Sequence, residues 1–187
     1  MNSLLIDLLI LLPGTAVLLW LSRKALRHPG GHGFYRFFAW EGILALVVLN
    51  RQPWGEQPFS PHQMASWLLM SLSIYLVIRG HRALRDQGLA STERQDGALY
   101  EFEKTTTLVT TGIFKHIRHP MYASLLSLAW GAYFQAPSLP GTVVVGLTTM
   151  FLLLTAKSDE RECLVYFGEA YAAYMQKTRG FISHVYY

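Results

Sequence analysis

Charged residues are scarce in this sequence. Only 15% of its 187 residues are Asp, Glu, Lys or Arg, whereas about 25% is usual in soluble domains. Hydrophobic residues make up 51%, and the apolar runs alternate with short charged stretches. This alternation is typical of a chain that crosses a membrane several times, and it leaves too little polar chain for a separate soluble domain.

Cysteine is nearly absent as well. Cys163 is the single cysteine, which excludes an intramolecular disulfide and a cysteine-rich metal site. The His residues show no metal-ligand spacing, and the sequence contains no HExxH, GxGxxG, P-loop or Gly-x-Ser-x-Gly pattern. We therefore expect no metal, and the usual nucleotide-binding and hydrolase signatures are missing.

Positive charge exceeds negative charge, with a formal net charge of +4. The basic residues flank apolar runs, so we expect membrane lipids rather than nucleic acid as their partners. The first run, from Leu4 to Trp20, has no basic residue before it and contains Asp7. It is therefore interpreted as a retained membrane span rather than a signal peptide.

Five apolar runs predict helical spans. They cover residues 3–21, 35–50, 64–79, 121–135 and 140–156. Drawn this way, all 16 Lys and Arg residues except Arg51 fall on one side of the membrane. The chain is predicted to be an all-α, polytopic membrane protein with one domain over residues 1–187. We expect its N-terminus outside and its C-terminus in the cytoplasm, in a bacterial-type inner membrane.

Glu41 lies inside the second predicted span. An ionisable group in hydrocarbon costs ~2.5–3.5 kcal/mol on insertion scales. Glu41 is therefore expected to face a partner or a cavity, and a structural ion pair is favoured over a catalytic role.

The first candidate motif is Arg118-His119-Pro120, directly before the fourth span. Pro suits the first turn of a helix, so His119 and the free backbone N–H groups of the helix start are expected at the membrane surface. There they can hold a carboxylate, while Tyr122 reaches the interface. The alternative interpretation is an interfacial belt, in which Arg and His face lipid phosphates and Tyr anchors the helix.

The second candidate motif is the charged stretch Lys157–Glu162, at the end of the fifth span. Adjacent carboxylates at a membrane boundary can bind an amino or sulfonium group. The alternative is that they only cap a following helix. Apolar residues at spacings of three and four predict that helix over residues 159–178, with Gly180 as its stop.

Together these motifs resemble the isoprenylcysteine carboxyl methyltransferase family, within a wider group that includes the phospholipid N-methyltransferases. The resemblance is carried by residues 108–114, 118–122, 159–160 and 167–171, and it covers roughly residues 75–183. It implies an all-helical membrane enzyme that uses S-adenosylmethionine without a Rossmann domain. The cofactor pocket is then cytoplasmic, formed by the loop before span four and the C-terminal helix.

The resemblance also implies roles for individual residues. The nucleoside side of the cofactor is expected at Thr107, Leu108, Val109 and Phe114, and its methionine end at His119, Pro120, Met121 and Tyr122. Asp159 is expected to complete the cofactor pocket, and Asp159 and Glu160 are the implied catalytic residues. A carboxylate such as Glu160 can accept the proton that an amine acceptor loses.

One departure from the family concerns the methyl acceptor. Isoprenylcysteine methyltransferases have an Arg at the position of Thr155, where it faces the substrate carboxylate, and the nearest cation here is Lys157. Thr155 cannot neutralise a carboxylate, so an amine, a thiol or a phospholipid fits at least as well as a prenylcysteine. In each case the expected acceptor is a lipid or a small apolar molecule.

Two other function classes stay open on the sequence alone. A sterol-type membrane reductase that uses NADPH shares a similar C-terminal pattern, although such proteins are normally longer. A non-catalytic accessory protein of the same fold is the other alternative, because the substitution at Thr155 can accompany a loss of activity.

Overall fold

A computed structural model describes residues 3–52, 54–87 and 107–181, which fold into six α-helices. These are α1 (Ser3–Ser22), α2 (His32–Leu49), α3 (Pro61–Gln87), α4 (Pro120–Gln135), α5 (Leu139–Phe167) and α6 (Glu169–Lys177). The described residues form no β-strand, so the predicted all-α class is confirmed. Arg94, Lys104 and His184, which belong to the predicted cytoplasmic side, lie outside the described residues.

Four helices form the body of the bundle. α3 packs along α4 and α2 packs along α5, while α1 lies against α2. The core between α2, α4 and α5 consists of Ile43, Leu46, Ala129, Ala132 and Val145. Small residues let the helix backbones approach closely, as is usual between membrane helices.

The first half of α3 buries polar side chains and exposes apolar ones. Gln63 and Ser66 on its inner face are 1% and 0% exposed, whereas Leu68 and Ile74 on its outer face are 71% and 60% exposed. The buried groups bond within the bundle, since the Ser66 hydroxyl donates to the Gly131 carbonyl at 2.6 Å. An apolar surface over a polar interior is what a lipid environment favours.

Three of the helices, α1, α2 and α5, are long and apolar enough to cross a membrane. The other two predicted spans also fold as helices. α4 has 16 residues, which gives about 24 Å at the helical rise, somewhat less than the ~30 Å of a hydrocarbon core. The mean hydropathy of α3 is lowered by exposed charged residues in its last turns, such as Arg82, Arg85 and Asp86.

The predicted break between span five and a separate following helix is wrong. α5 continues from Leu139 to Phe167, so Asp159, Glu160 and Glu162 lie inside a helix of 29 residues. They therefore do not cap a following helix or complement its dipole. The chain breaks instead at Gly168, which has a φ of 57°. Glycine adopts this left-handed conformation without the strain that a Cβ causes, and α6 ends at Lys177, before the predicted stop.

Polar contacts at two points along α1 hold it to the rest of the bundle. Thr15 donates a hydrogen bond to Glu41 Oε2 at 2.9 Å, so the described partner of Glu41 is a hydroxyl rather than the cation of the expected ion pair. At another point along α1, Arg51 Nε donates to Asp7 Oδ1 at 2.5 Å. A charged residue in an apolar helix thus has a partner in both cases, as the cost of burial requires.

The closest approach of α2 to α5 gives a test of the packing. A Cβ built on Gly42 would lie 2.1 Å from Thr148 Oγ1, and Thr148 is itself buried. We expect Gly42→Ala to lower the free energy of unfolding by about 1–3 kcal/mol, the usual cost of overpacking. Thermal unfolding in detergent measures this loss.

Gly146→Ala is the matched control. This glycine lies on α5, and a Cβ built on it would have no atom within 4 Å, so the gain in helix propensity leaves the melting temperature unchanged or slightly higher. Equal melting temperatures for both variants would contradict the close contact of α2 and α5.

Candidate functional site

A cavity of about 120 Å³ opens where the C-terminal half of α3, the start of α4, the end of α5 and α6 come together. Its wall is formed by Leu84, Leu108, Val109, Phe114, Arg118, His119, Pro120, Met121, Tyr122, Asp159, Cys163, Phe167, Tyr171 and Tyr174. Both sequence motifs therefore contribute to one site.

The His119 ring lies between two carboxylates of α5. Its Nε2 is 3.0 Å from Glu160 Oε1 and its Nδ1 is 3.5 Å from Asp159 Oδ2. A neutral imidazole carries only one N–H, so donating to both carboxylates requires the imidazolium. Burial lowers the pKa of His119, but the hydrogen bonds and charges of Asp159 and Glu160 outweigh burial and leave the pKa raised.

Local sequence explains why His119 is placed there. Pro120 is the first residue of α4, and its missing N–H costs nothing at a helix start. His119 precedes the helix and is 3% exposed. The ring of Tyr122, at the start of α4, stacks on the imidazole with centroids 5.5 Å apart. The imidazole is thus fixed by aromatic packing as well as by charge.

Arg118 binds Glu160, the second of the two carboxylates beside His119. Its Nε donates to Glu160 Oε1 at 2.8 Å, and its Nη1 donates to the carbonyls of Met175 and Thr178. Glu160 thus has two cationic partners, Arg118 and His119. The same contacts fasten the end of α6 to the start of α4.

Two backbone N–H groups just before α4 are already occupied by the chain after α6. Arg118 N–H donates to the Arg179 carbonyl at 2.6 Å, and His119 N–H donates to the Gly180 carbonyl at 3.1 Å. The chain after α6 therefore lies beside residues 117–119, where Ile117 and Arg179 form a bridge. Ligand binding by these two N–H groups would require that bridge to open.

The apolar part of the wall comes from the segment before α4. Val109 and Phe114 are buried and pack on Ala83 of α3. The turn between them contains Gly112, whose φ of 61° favours glycine. The hydroxyl of Tyr174 donates to the Phe114 carbonyl at 2.6 Å, so α6 holds this segment in place.

Sequence reasoning missed the contribution of the last helices to the wall. Cys163, Phe167, Tyr171 and Tyr174 recur at spacings of three and four, which predicts the apolar face of one continuous helix. The break at Gly168 turns this face into two sides of the cavity. Burial raises the pKa of both Tyr171 and Tyr174, with a further increase at Tyr171 from Cys163 and Asp159, so both phenols stay protonated.

Four predicted site residues do not line the cavity. Glu160 faces Arg118 and His119 behind the wall. Thr155 is 0% exposed and donates to the Phe151 carbonyl of its own helix at 2.7 Å. Thr107 and Lys157 are exposed outside the cavity. The structure therefore brings together the predicted cofactor-binding residues except Thr107, and it leaves the predicted substrate residues apart from them.

Comparison with known protein families identifies a related family. A family model described as phospholipid methyltransferase matches residues 62–170, which is more than half of the chain. No curated protein and no solved structure matches. The matched range contains every residue of the cavity wall except Tyr171 and Tyr174. Among the described residues there is also no group of His, Cys, Asp or Glu that could hold a metal ion.

The raised pKa of His119 predicts how stability depends on pH. The contribution of His119 to the free energy of unfolding is fully present below the ordinary His pKa of about 6.5, and it is lost as the pH rises through the raised pKa. We expect the melting temperature of His119→Gln to lie below that of the wild type at about pH 6, with a difference that shrinks towards about pH 9.

His116→Gln is the control for this measurement, because His116 lies in the same segment but is exposed. Its melting temperature should follow that of the wild type across the range. A difference between His119→Gln and the wild type that stays constant or grows with pH would show that His119 is not held as the imidazolium.

Proposed function

The chain belongs to the phospholipid methyltransferase family, and we propose that it is a membrane enzyme that transfers a methyl group from S-adenosylmethionine to a lipid or small apolar acceptor. The family itself indicates methyltransfer at a membrane. The observation that carries the finer proposal is the contact of His119 with Asp159 at the wall of a largely apolar cavity.

The charges of the wall suit this cofactor. S-adenosylmethionine supplies a methyl group on a sulfonium cation, and it also carries an ammonium and a carboxylate. Asp159 offers a carboxylate to the positive groups, while Arg118 and His119 bring positive charge to the same side of the cavity. A pocket with a few fixed polar groups in an apolar lining is typical of small-molecule sites.

The apolar residues suit the nucleoside. Leu108, Val109 and Phe114 form one continuous stretch of the wall, and Phe114 presents an aromatic ring. Such a ring can pack on adenine by offset stacking. Leu84 of α3 extends this surface.

The chain's own residues have three tasks in this proposal. His119 and Pro120 fix the start of α4 against α5, so the wall is organised before the ligand enters. The apolar wall excludes water from the acceptor, which strengthens its nucleophilic group. Asp159 is better placed than Glu160 to take a proton from an amine acceptor, because the Asp159 carboxylate lies on the wall.

The acceptor is proposed to be a phospholipid amine rather than a prenylcysteine carboxylate. Thr155 is committed to the Phe151 carbonyl, and Lys157 lies outside the cavity wall. The two cations on the wall, Arg118 and His119, are already paired with carboxylates. The carboxylate of the cofactor would share these two cations, so the described wall has no further cation for an anionic acceptor.

We also propose five membrane spans, with α3 and α4 as the third and fourth. Apolar side chains such as Leu68 and Ile74 are exposed on α3, as lipid contact requires, whereas Gln63, Ser66 and Ser73 face inward. α4 is largely covered by its neighbours, so it needs less apolar length of its own. With this topology the cavity opens at the cytoplasmic side, where all Lys and Arg residues except Arg51 lie.

Methyl transfer from labelled S-adenosylmethionine tests the proposal directly. We expect purified protein in detergent to label the phosphatidylethanolamine of a membrane lipid extract. His119→Ala should abolish this transfer and the binding of S-adenosylhomocysteine, because Asp159 then loses its contact with His119 and Glu160 loses one of its two cationic partners. Calorimetry and lipid chromatography are the measurements.

His116→Ala is the matched control, since this exposed residue is close in sequence but outside the cavity. It should label lipid like the wild type. Wild-type affinity for S-adenosylhomocysteine in His119→Ala would refute the site, and labelling of a prenylcysteine carboxylate alone would refute the acceptor.

The single cysteine gives an independent measure of binding. Cys163 lies on the cavity wall and has no cysteine partner in the chain. We expect S-adenosylhomocysteine to slow its alkylation by a maleimide, because the bound nucleoside covers the thiol. NADPH at the same concentration should not protect it. Mass spectrometry measures the alkylation. Protection by NADPH but not by S-adenosylhomocysteine would favour the reductase alternative.

A further inference from the structure

The start of α2 is joined to the polar turn of α5. His32 is the first residue of α2 and is 0% exposed. Its backbone N–H donates to Glu162 Oε1 at 2.9 Å, and its ring Nδ1 lies 2.5 Å from Glu162 Oε2. One residue therefore engages both oxygens of a carboxylate that is 130 positions away in the chain.

The neighbouring residues strengthen this junction. Gly31 is the N-cap of α2 and has no side chain to cap the helix, so Glu162 supplies the acceptor from another helix. A carboxylate at a helix N-terminus is favourable because of the helix dipole. Ser158 of α5 donates to the Gly30 carbonyl at 2.7 Å. This bond also joins α5 to the chain that leads into α2.

Asp159 lies within this junction. It follows Ser158 directly and precedes Glu162 by three residues, so the three side chains belong to one turn of α5. The chain at the start of α2 binds this turn through Gly30 and His32, while the residue before α4, His119, contacts Asp159. The position of the Asp159 carboxylate on the cavity wall is thus determined by contacts from two different parts of the chain.

Charge gives the junction a second effect. Asp159 and Glu162 repel each other, and both interact favourably with His32. Removing His32 would leave Glu162 without its described cationic partner. Repulsion and lost hydrogen bonds would then shift the turn and Asp159 with it.

We propose that His32 is a positioning residue of the methyltransferase site, which acts through Glu162 to hold Asp159 at the cavity wall. This inference rests on the proposed function. His32 lies outside the range that matches the family, whereas Glu162 and Asp159 lie within it. The N-terminal helices would therefore take part in cofactor binding without contacting the cofactor.

Calorimetry with S-adenosylhomocysteine in detergent tests this coupling. His32→Ala and Glu162→Ala should each weaken binding roughly tenfold, within the range for coupled neighbours. The double variant should bind no more weakly than either single one. In an Asp159→Asn background, His32→Ala should have no further effect, because the group that it positions has been removed.

Two further variants separate positioning from general damage. His32→Asn retains a side-chain N–H donor and should recover most of the affinity. Arg51→Ala breaks a contact of the same 2.5 Å length with Asp7, outside the site, and should leave the affinity unchanged. Glu162→Ala breaks the His32 contact from the α5 side, so the test stands even if His32→Ala does not fold.

The outcomes are distinct. Wild-type affinity in folded His32→Ala or Glu162→Ala overturns the inference. The inference also fails if His32→Ala lowers the affinity for S-adenosylhomocysteine as much in the Asp159→Asn background as in the wild type. A wild-type protein that binds no S-adenosylhomocysteine instead overturns the proposed function itself.

Discussion

The contact of the His119 imidazolium with Asp159 and Glu160 is the interaction on which the site depends. It joins the start of α4 to the interior of α5 across 41 positions of sequence. Two carboxylates and an imidazole would each be costly to bury alone, and they become acceptable only together. Because Arg118 and the His119 imidazolium together balance the two carboxylates, a charged cluster can stand beside an apolar cavity. The wall of that cavity then keeps one carboxylate, Asp159, available to a ligand.

Around this cluster the protein is organised as lipid requires. Gln63 and Ser66 of α3 face inward and bond to α4, whereas apolar side chains such as Leu68 and Ile74 face outward. Because the outer surface is as apolar as the interior, the hydrophobic effect contributes less to holding the helices together than in a soluble protein. Close approach of small residues, such as Gly42 against Thr148, provides the packing instead. The rigid bundle that results presents its charged cluster at one end.

Much of the wall was predictable because its residues are close in sequence. Residues 108–122 form a short turn followed by a helix start, and local signals such as Gly112 and Pro120 determine both conformations. The conformation of this motif therefore follows from its own residues. The residues of α6 were harder to assign, since their spacing fits one continuous helix and the single glycine at 168 changes their direction. His32 had no local signal at all, because its partner is reached only through tertiary packing.

The carboxylates of α5 show how the same residues can be misinterpreted. Three acidic residues after an apolar run are typical of a helix start, which is the pattern around Asp159. The helix continues through them because cations from α2 and from the start of α4 neutralise their charge. Local pattern recognition does not include those cations. The error in secondary structure thus has the same cause as the missed role of His32.

By itself the sequence determined the all-α class, the apolar runs and the family, because each depends on composition or on short motifs. Hydropathy and charge bias act over a few neighbouring residues, and so they can be read along the chain. Only the tertiary structure decided which acidic residue faces the cavity, which backbone N–H groups are already bonded, and that Thr155 and Lys157 stand apart from the wall. Those outcomes depend on groups far apart in sequence, such as His119 with Glu160 and His32 with Glu162, whose meeting is set by how the helices pack.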